Sequence, residues 1–163
     1  MTATTIGLDR PQQRLRWFAK RVAIVASVAV GMTPAIAGAQ PYDQVDPMAS
    51  GCSTGAYTVT STAIRRVDTN AQVGVVELRW SPQCGTNWAR VTPDSSVAHV
   101  LVLAEAQRPA DNAIATYSVR FGTVWPIYTN MLNGSASCVK AVGYMTIDGP
   151  TSNVSALGET GCY

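Results

Sequence analysis

The stretch that most constrains the fold is residues 75–91, which predicts two strands joined by a turn that carries a cysteine. Val76, Leu78 and Trp80 alternate with Glu77 and Arg79. A period of two is typical of a strand with one buried face and one wet face. The Ser-Pro pair that follows ends this strand, because proline has no amide hydrogen to give to a β ladder. A second strand then begins near residue 88.

Residues 1–39 have the three parts of a secretory signal peptide. Five basic residues precede an apolar core at residues 22–30, and a small-residue cleavage site, Ala-Gly-Ala, occupies residues 37–39. An uncut membrane anchor is the alternative, but a spanning helix needs about 20 apolar residues. We therefore predict a helical signal peptide at residues 1–39 and one mature domain at residues 40–163. We expect that domain to be secreted or associated with the cell envelope, contacting the membrane only through the signal.

The charge of the chain changes when this segment is set aside. The whole sequence has 12 basic and 10 acidic residues, for a net charge of +2. Without the five basic residues and the one acid of residues 1–39, seven basic and nine acidic residues remain, and the net charge is −2. A nucleic-acid surface needs clustered Lys and Arg, and only Arg65 and Arg66 are adjacent in the mature part. Nucleic acid is therefore not an expected partner.

Four cysteines, Cys52, Cys84, Cys138 and Cys162, all lie in the predicted mature domain. An even number in an exported chain indicates a disulfide framework. A zinc site would normally show a Cys-x-x-Cys pair, which the sequence lacks, so no metal or other cofactor is expected. Three pairings are open, and loop entropy does not choose among them. Distance from the predicted turns at residues 67–70 and 149–151 favours Cys52–Cys84 and Cys138–Cys162.

Short runs rich in Val, Thr and Tyr, separated by turn residues, predict an all-β fold. We expect a single small antiparallel β-barrel or sandwich held together by two disulfides. Residues 97–104 suit a strand buried on both faces, and residues 113–121 alternate like a half-buried strand. Asn133-Gly134 predicts a tight hairpin turn, and residues 105–112 and 149–161 are expected to be loops.

Several separated motifs are similar to a known family. They are Asp-Pro-x-Ala-x-Gly-Cys at residues 46–52, Val-Glu-Leu-Arg-Trp-Ser-Pro-x-Cys at 76–84, Trp-Ala-Arg-Val at 88–91, and the weaker Tyr-Thr-Asn-Met-Leu at 128–132. Over residues 43–138 the chain resembles the secreted actinobacterial family catalogued as domain of unknown function 2690. The resemblance implies a domain and a location, and it brings no activity.

The sequence contains no recognisable catalytic set, so we do not expect an enzyme. His99 is the only histidine and lies in the most apolar segment, which favours an interior histidine over a general base. No serine has the Gly-x-Ser-x-Gly setting of a nucleophile elbow. Glycoside hydrolysis needs two carboxylates; Glu77 could be one, but a cross-strand ion pair with an arginine is its simpler interpretation.

Aromatic residues are the best candidates for ligand contact. Trp88, with Arg90 beside it, and Trp125, with Tyr128 close behind it, could offer flat rings to a sugar. Trp80 shares the parity of Val76 and Leu78 and is expected in the core. Trp125, next to a proline, is the best candidate for exposure.

These observations leave three hypotheses for function. The first is a secreted non-catalytic β domain of unknown role that binds cell-wall polysaccharide or a surface protein. The second is a small exported hydrolase that uses His99 or a pair of carboxylates. The third is a secreted inhibitor of another extracellular protein, acting through the cysteine-bearing loop at residues 83–87.

Overall fold

Alternating apolar residues produce an antiparallel sheet of nine strands in the computed structural model. The structure describes residues 40–120, 122, 125–149 and 153–163, and the predicted signal peptide lies outside them. The strands are β1 (Tyr57–Arg66), β2 (Gln72–Ser81), β3 (Thr86–Pro93), β4 (His99–Arg108), β5 (Ala113–Arg120), β6 (Ile127–Tyr128), β7 (Leu132–Asn133), β8 (Lys140–Ile147) and β9 (Val154–Glu159). None of the described residues is helical. The same residues therefore include no helix that is long and apolar enough to span a membrane.

The sheet coils into a nearly closed barrel. Its strand order is β5-β4-β8-β9-β1-β2-β3-β6, and β7 also pairs with β3. All the pairings are antiparallel. The end strands, β5 and β6, are not paired with each other, so a seam remains where the barrel would close. The predicted class, a small antiparallel β-barrel or sandwich with two disulfides, is confirmed, and of the two forms the structure has a nearly closed barrel.

Large side chains fill the barrel where small residues in the wall make room for them. Ile64 and Leu78 are fully buried, and burying each such side chain contributes about 1.5–3 kcal/mol. A Cβ at Gly143 would lie 2.5 Å from Cδ1 of Ile64, and one at Gly158 would lie 2.8 Å from the carbonyl oxygen of Ala63. These two glycines are paired across β8 and β9, and both leave room for the side chain of Ile64.

Two disulfides fix different parts of the chain. Cys52–Cys84 joins the lead-in before β1 to the β2–β3 turn, with the Cα atoms 5.8 Å apart. Cys138–Cys162 joins the two ends of the β8–β9 hairpin, with the Cα atoms 5.5 Å apart. These are the pairs that the predicted hairpin register favours. Disulfides persist in oxidising compartments, so the fold is suited to one.

Some local predictions were wrong. β4 continues to Arg108, so the first four residues of the expected loop at residues 105–112 are strand, and β4 alternates instead of being buried on both faces. The expected loop at residues 149–161 contains β9. Asn133-Gly134 closes no hairpin, because Asn133 pairs with Thr86 of β3. Trp80, expected in the core, is only half-buried.

Candidate binding cleft

One cleft of the domain lies at the seam between the end strands of the sheet. It has a volume of about 410 Å³. The lining residues come from both end strands and from the lead-in: Asp46, Thr116, Tyr117, Val119, Trp125, Pro126, Ile127, Tyr128 and Asn130. We call this site the seam cleft. Two of the sequence-predicted ligand contacts, Trp125 and Tyr128, belong to it.

Three aromatic rings line the seam cleft. Trp125 is 75% exposed and Tyr117 is 51% exposed, while Tyr128 is half-buried. Tyr117 stands on β5 opposite Ala104 of β4, in a continuous antiparallel register. β5 is an end strand of the sheet, so this ring lies at the seam. Partly exposed rings of this kind can pack against the apolar face of a ligand while their polar tips remain in water.

Tyr128 is the most firmly supported of the three rings. It lies opposite Arg90 in the β3–β6 pairing. It also packs against a small buried cluster of Cys52, Trp88 and Met131. Trp88 is 1% exposed, so it cannot make the ligand contact that the sequence suggested. Its ring belongs to the buried cluster with Cys52 and Met131, against which Cys84 and Tyr128 pack.

Asp46 provides the charge of the seam cleft, and its own turn fixes its orientation. Its Oδ1 accepts hydrogen bonds from the amides of Met48 at 2.6 Å and Ala49 at 3.0 Å. Burial and then the negative charge of Asp46 raise the pKa of Tyr128. Asp46 and Tyr128 both line the cleft.

The lead-in that carries Asp46 is held in place by Arg108. Nη1 and Nη2 of Arg108 donate to the two carboxylate oxygens of Asp43 at 2.8 and 2.7 Å. Asp43 also accepts a hydrogen bond from the amide of Asn133 at 2.7 Å. Burial pushes the pKa of Asp43 upward, but the hydrogen bonds from Arg108 and Asn133 outweigh it and leave that pKa lowered. The residues on either side, Tyr42 and Gln44, have φ values of 66° and 64°, which non-glycine residues adopt at a cost of about 1–3 kcal/mol.

Arg90 lies outside the seam cleft and is occupied by an ion pair. Its Nε donates to Oε2 of Glu77 at 2.6 Å, directly across β2 and β3. Thr58 donates to the other oxygen of Glu77 at 2.8 Å. The hydrogen bond from Arg90 is the main reason that the pKa of Glu77 is lowered. The cross-strand ion pair expected for Glu77 is therefore present, and the predicted ligand contact by Arg90 is not available at this cleft.

His99 lies inside the barrel wall, as its apolar surroundings predicted. Its side chain is buried, and Nε2 lies 3.1 Å from the main-chain oxygen of Asp94, to which it donates. Nδ1 is buried and has no hydrogen-bond partner within the described part of the chain. In the same part of the chain, no group of three His, Cys, Asp or Glu side chains is arranged to hold a metal ion.

A second groove, of about 420 Å³, lies beside the cysteine-bearing loop. Trp80 and Tyr163 supply its aromatic surface, with Asn87 and Ser135 at its polar edge. Gly85, whose φ is +63°, lies against the Ser135 hydroxyl, where a Cβ would clash. The loop at residues 83–87, proposed above as an inhibitory loop, therefore packs on another loop and is not a free projection.

Sequence reasoning missed several residues of the seam cleft. Tyr117 shares the parity of buried residues on β5, so alternation predicted it to face the core. Asp46 is visible in the Asp-Pro motif, but nothing in the sequence shows that it lines the same cleft as Tyr128. Thr116 and Asn130 carry no signal that separates them from ordinary surface residues.

Fold and site together define a disulfide-bonded antiparallel β domain with an aromatic cleft at its open seam. The chain belongs to the family described as Protein of unknown function (DUF2690), whose model matches residues 40–142. It is also similar to Uncharacterized protein YjfA of Bacillus subtilis (strain 168), with 33% identity over 75 residues. Those residues are 46% of this chain and 47% of that protein, so the match spans about half of the relative's length. No solved structure matches the chain.

Proposed function

We propose that this protein is exported and binds a polysaccharide of the cell envelope through the seam cleft, without catalysing a reaction. The observation that carries the proposal is the grouping of Trp125, Tyr117 and Tyr128 around one open cleft with polar groups at its edge. Sugar rings have apolar faces and hydroxyl-bearing edges. Aromatic rings next to carboxylate, amide and hydroxyl groups complement both parts of such a ligand.

Two further features support binding at this site. The rings have rigid neighbours, since Tyr128 packs on the cluster that contains Trp88 and the Cys52 sulfur. A site that is already shaped loses little side-chain entropy when a ligand arrives. The cleft is also open along the seam, so a long polymer can enter without first exposing a chain end.

Binding accounts for the seam cleft better than hydrolysis does. Glycoside hydrolysis uses two carboxyl groups on opposite sides of the scissile bond, and Asp46 is the one carboxylate among the described residues that line the cleft. His99 is buried, and its Nε2 is engaged by a main-chain oxygen. The hydrolase hypothesis would need a second carboxylate in the cleft beside Asp46, or a His99 side chain that is exposed to the ligand.

The test is retention of the oxidised, purified protein on washed cell walls and on insoluble polysaccharide. We expect Trp125→Ala and Tyr117→Ala each to weaken retention about fivefold or more, since an aromatic contact is worth about 0.5–1.5 kcal/mol beyond its buried area. Tyr57→Ala is the matched control, because Tyr57 is 50% exposed, against 51% for Tyr117, and lies outside the cleft. Equal retention of all three variants, or no retention of the parent protein on any polysaccharide, would refute the proposal.

A further inference from the structure

The seam cleft has a charge of one sign. Among its described lining residues, Asp46 is the one carboxylate, and no lysine, arginine or histidine is present. A ligand that carries phosphate or carboxylate groups would meet this like charge and find no cation in the lining to pair with. Repulsion of that kind selects against a class of ligand as effectively as attraction selects for one.

The three rings add to the same preference. The face of an aromatic ring carries negative potential, and a cation within about 6 Å of the ring centre is attracted by about 0.5–1 kcal/mol at an exposed site, or about 2 when desolvated. Trp125, Tyr117 and Tyr128 present such rings to one space of about 410 Å³. Several rings around one cavity form the aromatic cage that binds organic ammonium groups in other proteins.

Asp46 is suited to complete such a cage. Both hydrogen bonds that the described residues donate to its carboxylate go to Oδ1, from the amides of Met48 and Ala49. These bonds hold the carboxylate through Oδ1, and no described residue donates a hydrogen bond to Oδ2 of this cleft-lining side chain. An ammonium N–H that donates to a carboxylate forms a bond about twice as strong as a neutral one.

We propose that the seam cleft recognises a sugar that carries a free, protonated amine, with the ammonium group placed between Oδ2 of Asp46 and the aromatic rings. The glycan part of this inference rests on the function proposed above, whereas the ammonium part rests on the charge and the rings of the cleft. The ligand class is therefore a glycan with amino sugars that are not N-acetylated, and neutral or anionic glycans bind less tightly.

Two oligosaccharides that have the same backbone but differ in N-acetylation distinguish glycan binding from the preference for an ammonium group. We would titrate the oxidised protein with the hexamer of β-1,4-linked N-acetylglucosamine and with its fully deacetylated form, at a pH where the amines are protonated, following tryptophan fluorescence and heat. We expect the amino hexamer to bind about tenfold more tightly than the acetylated one. Tetramethylammonium chloride should compete with it, and sodium chloride of equal ionic strength should compete less.

Charge variants show whether the preference arises at the cleft. The two hexamers are expected to differ about tenfold in affinity, and Asp46→Asn should remove most of that difference. Asp148→Asn makes the same change of charge at an exposed position outside the cleft and should leave the difference in place. Equal or tighter binding of the acetylated hexamer, or equal effects of the two variants, would overturn the ammonium inference and leave glycan binding intact. Failure of both hexamers and of cell-wall polysaccharide to bind would instead overturn the proposed function.

Discussion

Arg108 should be one of the most costly single residues to replace in this domain. Its side chain is 4% exposed, and that of Asp43 is 10% exposed. The guanidinium makes two hydrogen bonds to Asp43, two to Asp111 at 2.9 and 2.8 Å, and one to the carbonyl oxygen of Asn133 at 2.9 Å. In Arg108→Met the carboxylate of Asp43 remains buried without its cation, and breaking a buried pair in this way costs about 3–5 kcal/mol.

The assay is urea unfolding of the oxidised protein, followed by tryptophan fluorescence and circular dichroism at neutral pH. We expect Arg108→Met to lower the free energy of unfolding by about 3–5 kcal/mol, a large part of the about 5–15 kcal/mol that holds most domains together. Asp111→Asn is the control, because Asp111 is 26% exposed and surface pairs contribute about 0–1 kcal/mol. A loss below about 1 kcal/mol for Arg108→Met would refute the reasoning, since it would equal that of a surface pair.

The same pair predicts how stability depends on pH. The pKa of Asp43 is lowered in the folded state. The charged carboxylate therefore makes its full contribution to the free energy of unfolding above the ordinary pKa of about 3.9. That contribution is lost as the pH falls through the folded-state value. In Arg108→Met the carboxylate of Asp43 keeps the hydrogen bond from the Asn133 amide but loses the hydrogen bonds and the charge of Arg108, so its charged form is stabilised less. The gap in unfolding free energy between the parent and the variant should therefore narrow in acid, and a constant gap from neutral pH to acid would contradict this assignment.

Three other predictions concern the wall, the disulfides and the cleft. Gly143→Ala should lower the free energy of unfolding in urea by about 1–3 kcal/mol, because its Cβ would lie 2.5 Å from Cδ1 of Ile64. An unchanged midpoint would show that Ile64 can move aside without loss of stability. Reduction with dithiothreitol should lower the melting temperature, since removing a native disulfide costs about 2–5 kcal/mol, and equal melting of both forms would contradict this. In an ultraviolet pH titration Tyr128 should ionise above the ordinary tyrosine pKa. Asp46→Asn should lower the pKa of Tyr128 only in part, because burial is the larger cause of the shift. An identical titration of parent and variant would show that the charge of Asp46 does not act on Tyr128.

Local patterns in the sequence predicted the β1–β2 and β2–β3 hairpins, because each depends on neighbours in the chain. The β1–β2 turn and the position of Cys84 indicated the first disulfide without knowledge of the rest of the barrel. β9 could not be found in this way. Its run of Ser, Ala, Leu and Gly has little strand character of its own, and the segment is extended because it pairs with β8 along its whole length. Gly158 looks like a loop residue, yet it is required by the close approach of Ala63.

The candidate site was harder to predict than the strands. Alternation shows which side chains share a face, but it does not show whether anything covers that face. Tyr117 and Ala115 share one face of β5, yet Ala115 is buried and Tyr117 is half exposed, because the barrel is open beyond that point of the strand. Trp88 and Trp125 each lie beside turn residues in the sequence. Only the packing of Met131 and Cys52 shows that one is interior while the other is at the surface.

The unequal ends of the sheet also limit how copies of this domain can associate through their strands. β5 presents eight residues without proline or lysine, and Arg120 at its end is its one charged side chain; proline and charged residues commonly protect an edge. The side chain of Gln44 contacts this edge through the carbonyl oxygen of Ile114. The opposite end has only the two-residue strands β6 and β7. Two molecules that paired β5 with β5 would be related by a two-fold axis. The sheet edges left in that dimer would be the two-residue strands β6 and β7. We therefore expect association through β5 to stop at a dimer instead of extending into a fibre.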